Sequence, residues 1–319
     1  MQIGTRLLNS STPPLVVAEI SCNHKQDLRK AKTLIASAKE CGCDAVKFQT
    51  YKPHHITLEE NQLNKTYLPW SWHPELFEFS QNIGIMAWSS VFAPEAVDFL
   101  EKEINPICYK LASFEINHFP LLERLKETGK PLIISTGMMN FNDLQWFKNQ
   151  YSALNTMLLK CVSNYPAKAD EFNILTIPGI RNITGFEVGL SDHTQTLGVS
   201  IASVALGARM IERHFTIEGG TPDDKFSLRP KEMAQLCKEV RVAYDSLGSI
   251  NWTVQGDTSH FRSLYATMDI QKGDSFNTKN IGILRPNKGI NAREWYRFLR
   301  STAGCDIKKG EPLHYRHLD

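Results

Sequence analysis

EVGLSDHTQTLGVSIASVALGARMIERHF, residues 187–215, contains a complete strand, helix and strand. EVGLSD (187–192) and MIERHF (210–215) are short runs with apolar centres. Between them residues 194–206 have the length and periodicity of a helix, and Gly207 supplies its stop. Two short strands joined this way predict a parallel pair with a crossover helix. Each run also ends on polar residues: Ser191 and His193 after the first, His214 in the second.

The same alternation extends back to the N-terminus. LVVAEI (15–20), AVKFQTY (45–51), GIMAWSS (84–90), CYKLAS (108–113), PLIIST (131–136) and TMLLKCV (156–162) are further strand-like runs. Segments of helical character separate them. Residues 27–40 are one, placing Leu28, Ala31, Leu34, Ile35 and Ala38 on one face ahead of Gly42. Eight strands each followed by a helix predict an α/β fold, a (β/α)8 barrel of about 250 residues. The last barrel helix, 231–247, gives way to GSINWTVQGDTS, a polar stretch that reads as a linker over 248–260. From 261 to 319 the chain is strand-like and turn-rich, with one helical stretch at 292–300. Two DIxKG phrases, at 269–273 and 306–310, form an internal repeat. The expected organisation is a barrel over 1–247, a linker over 248–260 and a small β-rich domain over 261–319.

Bulk composition excludes several classes. Lys and Arg number 36 against 34 Asp and Glu, so no charge excess points to nucleic acid. No apolar stretch approaches about 18 residues, and the start MQIGTRLLNS lacks a signal-peptide core, so a cytoplasmic protein with no membrane partner is expected. The seven cysteines are odd in number and form no CxxC pair, which fits reduced thiols acting mostly as small core fillers.

Function in such a barrel gathers where the strands end, and polar residues stand there on every strand. Glu19 ends the first, Lys47 and Gln49 the second and Ser90 the third. Lys110, Ser113 and Glu115 follow on the fourth, Ser135 on the fifth, Ser163 and Tyr165 on the sixth, Ser191 and His193 on the seventh, and His214 on the eighth. Lys47, Lys110, Glu19 and Glu212 lie inside apolar runs, where a charge needs a partner or a wet cavity. His193 and His214, on adjacent strands, are spaced to share a divalent cation with waters or substrate completing the shell; each alone also reads as a structural hydrogen-bonder. His24 and the pair His54 and His55 are weaker metal candidates. Two lysines with Ser90, Ser113, Ser135 and Ser191 suit a small, doubly charged anion, either phosphoenolpyruvate or a sugar phosphate.

These residues sit in phrases that resemble the sialic acid synthase family over essentially the whole chain. The phrases are AEISCNH, DAVKFQTYKP, YKLASFEI, PLIISTGM, LLKCVSNYP, VGLSDHT and ALGARMIERHF, with RSLYATMDIQKGD and ILRPNKGI in a tail similar to that family's antifreeze-like (SAF) domain. YKLASFEI, the start MQIG, VGLSDHT, DDKFSL and RSLYA are most similar to the branch that makes pseudaminic acid. The resemblance implies a transferase joining phosphoenolpyruvate to 2,4-diacetamido-2,4,6-trideoxy-L-altrose, with a divalent metal ion: Mn2+, or else Mg2+ or Co2+. It implies that Lys47, Ser90, Lys110, Ser113, Ser135 and Ser191 hold phosphoenolpyruvate, that His193 and His214 hold the metal, and that Glu19 is the catalytic carboxylate. Gln49, Glu115, Tyr165 and Asp223 resemble the sugar contacts. Arg285 resembles an arginine lent by a partner subunit, which implies a domain-swapped homodimer. The chain departs from the family pattern at NHKQD after the first strand, at SSVF around Ser90, and in a short segment at 59–73 that would shape the sugar pocket. Alternatives are a synthase for neuraminic or legionaminic acid, a sugar-phosphate condensing enzyme on a similar barrel, and a carbohydrate-binding protein without catalysis.

Overall fold

The chain begins with a hairpin, β1 (Gln2–Ile3) and β2 (Arg6–Leu7). Eight parallel strands then close a barrel in chain order: β3 (Leu15–Glu19), β4 (Ala45–Thr50), β5 (Met86–Val91), β6 (Tyr109–Leu111), β7 (Leu132–Ser135), β8 (Thr156–Cys161), β9 (Glu187–Asp192) and β10 (Met210–His214). The helices between and after them are α1 (Leu28–Glu40), α2 (His73–Asn82), α3 (Pro94–Glu103), α4 (Phe119–Glu127), α5 (Phe141–Tyr151), α6 (Thr176–Thr184), α7 (Gly198–Ala205) and α8 (Pro230–Leu247). The predicted (β/α)8 barrel is therefore the observed one. This computed structural model describes every residue except Glu60 and Gln62. The expectation that residues 59–73 shape the sugar pocket falls partly on those two, which lie outside the described residues.

Alternation along each strand divides the barrel's apolar residues between two cores. Val16, Ala18, Val46, Phe48, Ile134, Leu158 and Ile211 point outward into the layer between strands and helices. Val17, Ala45, Trp88, Cys108, Ile133, Met157, Leu159 and Met210 fill the barrel interior, and Ile3 and Leu8 from the hairpin segment join that inner cluster. The inward phase then turns polar toward the carboxyl ends. Val17 leads to Glu19, Ala45 to Lys47 and Gln49, Trp88 to Ser90, Cys108 to Lys110, Ile133 to Ser135, and Met210 to Glu212 and His214. A dry lower interior thus supports a polar upper one.

Helix starts follow local hydrogen bonding. Asp27 caps α1 by accepting from the amides of Arg29 and Lys30. The helix expected at 194–206 begins only at Gly198. Asp192 Oδ1 accepts from Thr194 N, and the carbonyls of Thr194 and Thr196 accept from Arg213, so residues 194–197 form a polar turn instead.

The chain divides into two compact units, Met1–Gly248 and Ser249–Asp319. In the second, β11 (Ser263–Ala266) pairs antiparallel with β12 (Ile281–Leu284). Around them Phe276, Phe298, Ile270 and Ile307 build a small core. The helix expected at 292–300 is a 3-10 turn, Ala292–Glu294, leading into α9 (Trp295–Phe298). The DIxKG repeat is reciprocal: Ile270 bridges Ile307, Lys309 N donates to Asp269 Oδ1 and Lys272 N donates to Asp306 Oδ1, each at 2.8 Å.

Candidate active site

Strand register sets the order of the polar ring. Glu19 lies opposite both Lys47 and His214; Ser90 lies opposite Gln49 and Lys110; Ser191 lies opposite Cys161 and Glu212. These residues surround a cavity of about 430 Å3 at the carboxyl ends of the strands. Of the residues singled out from sequence, Lys47, Gln49, Ser90, Lys110, Ser113, Ser135, Tyr165, Ser191, His193, His214 and Asp223 line it. Glu19 lies beside them, its Oε2 2.6 Å from Lys47 Nζ and its Oε1 accepting from Gln49 Nε2 at 2.9 Å. Glu115, on the turn Ser113–Glu115, is half-buried and outside the lining, and burial raises its carboxyl. Arg285 belongs to the C-terminal unit, directly after β12, and is exposed.

The two lysines are buried and each leans on a serine: Lys47 Nζ donates to Ser90 Oγ at 2.8 Å and Lys110 Nζ to Ser135 Oγ at 2.7 Å. Burial pulls Lys47 down, but the carboxylates of Glu19 and Glu212 outweigh it and hold the ammonium charged. Among the described residues Lys110 has no carboxylate in ion-pair contact, and burial lowers it to about 8. Burial raises Glu19 despite Lys47. Burial also acts to raise Glu212, yet Lys47 and Lys110 bring it net below the usual carboxylate range. Next to this wall Gly137 passes so close to Ser113 and Ser163 that an added Cβ would collide with both hydroxyls. Gly137 N donates to Ser113 Oγ at 3.0 Å, while Ser163 Oγ is buried with no hydrogen-bond partner among the described residues.

Across the cavity the imidazoles of His193 and His214 lie with ring centroids 5.4 Å apart. His193 Nδ1 donates to the Val162 carbonyl at 2.8 Å, and His214 Nδ1 to Asp223 Oδ2 at 2.9 Å. Those bonds fix the Nδ1–H tautomer on both rings and leave both Nε2 lone pairs for a ligand, which is how outer partners orient metal-binding histidines. Among the described residues no three His, Cys, Asp or Glu side chains group as a metal cluster. The donor set therefore fits an open cation site of two imidazoles, the remaining positions left to water or substrate oxygens. The Tyr165 ring packs on His193 with centroids 4.3 Å apart, and Phe226 closes on His214 at 4.8 Å.

The weaker metal candidates lie elsewhere. His24 is buried outside the cavity lining, its Nδ1 accepts from Gln26 N, and burial lowers it to about 4. His54 and His55 contact each other, and His55 packs on Trp70.

Several further lining residues carry no assigned role in the sequence reading. Glu212 reads there as a buried charge without a role; it accepts from Ser191 Oγ at 3.1 Å, and its Oε2 is buried with no hydrogen-bond partner among the described residues. Cys161 lines the cavity, and its phase with Met157 and Leu159 is the available signal. Tyr51 lines it one residue past β4, in the inward phase of Lys47 and Gln49, and Ser21, Cys22, Phe92 and Phe226 line it from the loops.

A closed parallel barrel with a charged cavity at the carboxyl ends of its strands, carried with a separate β-rich unit, has the architecture of a barrel enzyme. Residues 34–251 match the NeuB family and residues 261–319 match the SAF domain. The chain belongs to the NeuB family, the sialic acid synthases. It is 36% identical over 341 aligned positions to pseudaminic acid synthase of Campylobacter jejuni, covering 98% of each chain. To N,N'-diacetyllegionaminic acid synthase of the same species it is 33% identical, over 93% of this chain and 98% of that one. The crystal structure of N-acetylneuraminic acid synthetase from Leptospira borgpetersenii matches with a TM-score of 0.75 at 27% identity, over 80% of this chain and 92% of that one.

Proposed function

We propose that this chain condenses phosphoenolpyruvate with 2,4-diacetamido-2,4,6-trideoxy-L-altrose to form pseudaminic acid and phosphate, the reaction of a pseudaminic acid synthase. The observation that carries this reading is one cavity with two buried lysines and serine hydroxyls on one wall and two unpaired imidazole Nε2 edges on the other. A full-length likeness to a synthase of that name supports the choice of sugar. Mixing the protein with both substrates and Mn2+ should yield the nine-carbon acid by mass spectrometry; no such product would refute the reading.

On this reading Lys47 and Lys110, with Ser90, Ser113, Ser135 and Ser191, hold the phosphate and carboxylate of phosphoenolpyruvate. Gln49, Glu115, Tyr165 and Asp223 position the open-chain sugar, so that C3 of phosphoenolpyruvate lies against the aldehyde carbon. His193 and His214 would hold a divalent cation, for which we favour Mn2+, and the ion would supply Lewis-acid polarisation of the aldehyde oxygen. Carbon–carbon bond formation turns the aldehyde oxygen into an alkoxide and leaves C2 electron-poor; Glu19 orients the water that adds at C2 and takes its proton, which ends on the alkoxide to give the product hydroxyl. The C2–O bond to phosphate then breaks, and the lysines and serines receive the departing anion.

Lys110 gives the reaction a pH signature. Its ammonium is the charged form, so raising the pH through about 8 removes one positive charge from the anion wall of the free enzyme. The expected result is a fall in kcat/KM for phosphoenolpyruvate above about pH 8, since that ratio reports free-enzyme ionisations. A profile that stays flat well above that pH would contradict it.

For Arg285 we propose that a second copy's C-terminal unit delivers the guanidinium to the sugar's acyl group in a domain-swapped homodimer. Arg285→Ala should raise the sugar's KM more than that of phosphoenolpyruvate. Equal effects on both would remove the proposal. A legionaminic or neuraminic acid synthase differs only in the sugar pocket, and the 33% identity to a legionaminic enzyme keeps it as the second reading. The SAF domain argues against a sugar-phosphate condensing enzyme. Both lysines, both histidines and Glu19 being present argues against a non-catalytic sugar binder.

A further inference from the structure

Directly behind the two histidines lies an ion pair the reaction does not touch. Arg213 pairs in register with Asp192, one residue before His214 and His193 respectively. Alternation along β9 and β10 turns these two side chains away from the cavity, toward α7, while the imidazoles face in. Both are fully buried, and Arg213 Nη1 meets Asp192 Oδ2 at 2.6 Å.

The pair fastens everything around His193. Arg213 Nη2 donates to the Thr194 carbonyl at 2.5 Å, and Nη1 donates to the Thr196 carbonyl at 2.8 Å. Asp192 Oδ1 accepts from Thr194 N at 2.8 Å, and its Oδ2 accepts from Ser200 Oγ, on α7, at 2.5 Å. One guanidinium, itself part of the strand that ends in His214, therefore holds the backbone on the far side of His193. The planar fork of arginine serves carboxylate and carbonyls together, which a lysine ammonium cannot reproduce. A buried ion pair is weak evidence for added stability, so its role here is better sought in geometry.

We propose that the Arg213–Asp192 pair is a positioning device that sets the spacing of His193 and His214 for a shared divalent cation. The proposal rests on the reading of those histidines as metal ligands. Arg213 and Asp192 touch neither cation nor substrate; they act through the backbone that carries the ligands.

The test is calorimetric titration of Mn2+ into the metal-stripped full-length protein, alongside melting temperature and turnover. Arg213→Lys should bind Mn2+ about tenfold more weakly, the lower end of what loss of a supporting partner costs a metal site. Its kcat should recover at saturating Mn2+ while the KM values for both organic substrates stay near wild type. Ser200→Ala, a gentler cut in the same network that leaves both charges in place, should weaken Mn2+ in the same direction to a smaller extent, and it decides the matter if Arg213→Lys does not fold. Wild-type Mn2+ affinity in the folded variants, with only the melting temperature lowered, would overturn the proposal. Absence of Mn2+ binding to the wild-type protein would instead remove the metal reading on which it rests, and the two failures are distinguished by the wild-type titration alone.

Discussion

His214→Ala should abolish metal-dependent turnover while leaving the barrel folded. The imidazole stands at the end of β10 with Nδ1 committed to Asp223 and, among the described residues, no hydrogen-bond partner at Nε2, so on the proposed reading the substitution deletes one of the two imidazoles that would hold the cation. Loss of an outer partner alone costs about 10- to 100-fold in metal affinity, and loss of a donor should cost at least the upper figure. The structural penalty is smaller. Asp223 loses its imidazole partner, and the vacated space opens onto the cavity that both side chains already line. A Mn2+ titration and a melting curve together check this: affinity should collapse and the melting temperature should shift by a few degrees at most. Wild-type turnover in the variant would eliminate the two-histidine metal site.

Glu19→Gln should lower kcat by about 100- to 10,000-fold, the range associated with a positioned acid–base group. The amide matches the carboxylate in size but cannot take a proton from water. Lys47 loses its closest counter-charge, yet Glu212 remains 3.7 Å away, so the ammonium is not left as an isolated buried charge. Binding of phosphoenolpyruvate should therefore survive while turnover does not. A direct titration of phosphoenolpyruvate, together with kcat measured at saturation of both substrates, checks the split. A variant with lowered affinity for phosphoenolpyruvate and unchanged kcat would show that Glu19 serves only to hold Lys47.

The barrel is legible in the sequence because eight short strand-like runs alternate with segments of helical character, and polar residues stand where the runs end. Period-2 alternation separates inner from outer residues, and the inner series ends in polar side chains on strand after strand, as in Met210, Glu212 and His214. That register, with the loops that follow the strands, brings eleven of the residues given a role from sequence to one cavity, and Glu212 with them. Beyond the strand ends the signal fades. Ser21, Cys22 and Phe226 line the same space from loops, where no repeat dictates which way a side chain points. The start of α7 departs from its sequence expectation for a related reason: the apolar content of 194–206 is helical, but buried Arg213 and Asp192 claim the backbone groups of its first turn. Charges in the outward phase of a strand give no sequence sign that they pair inside the protein.

Phosphate release from phosphoenolpyruvate in the presence of Mn2+ tests the synthase reading most directly, with the trideoxy diacetamido altrose, with N-acetylmannosamine, or with no sugar, and with EDTA as the metal-free control. The predicted result is release with the altrose, none without sugar and none with EDTA. Release driven by N-acetylmannosamine instead would move the chain to the neuraminic branch, and no release with any sugar would contradict the synthase reading.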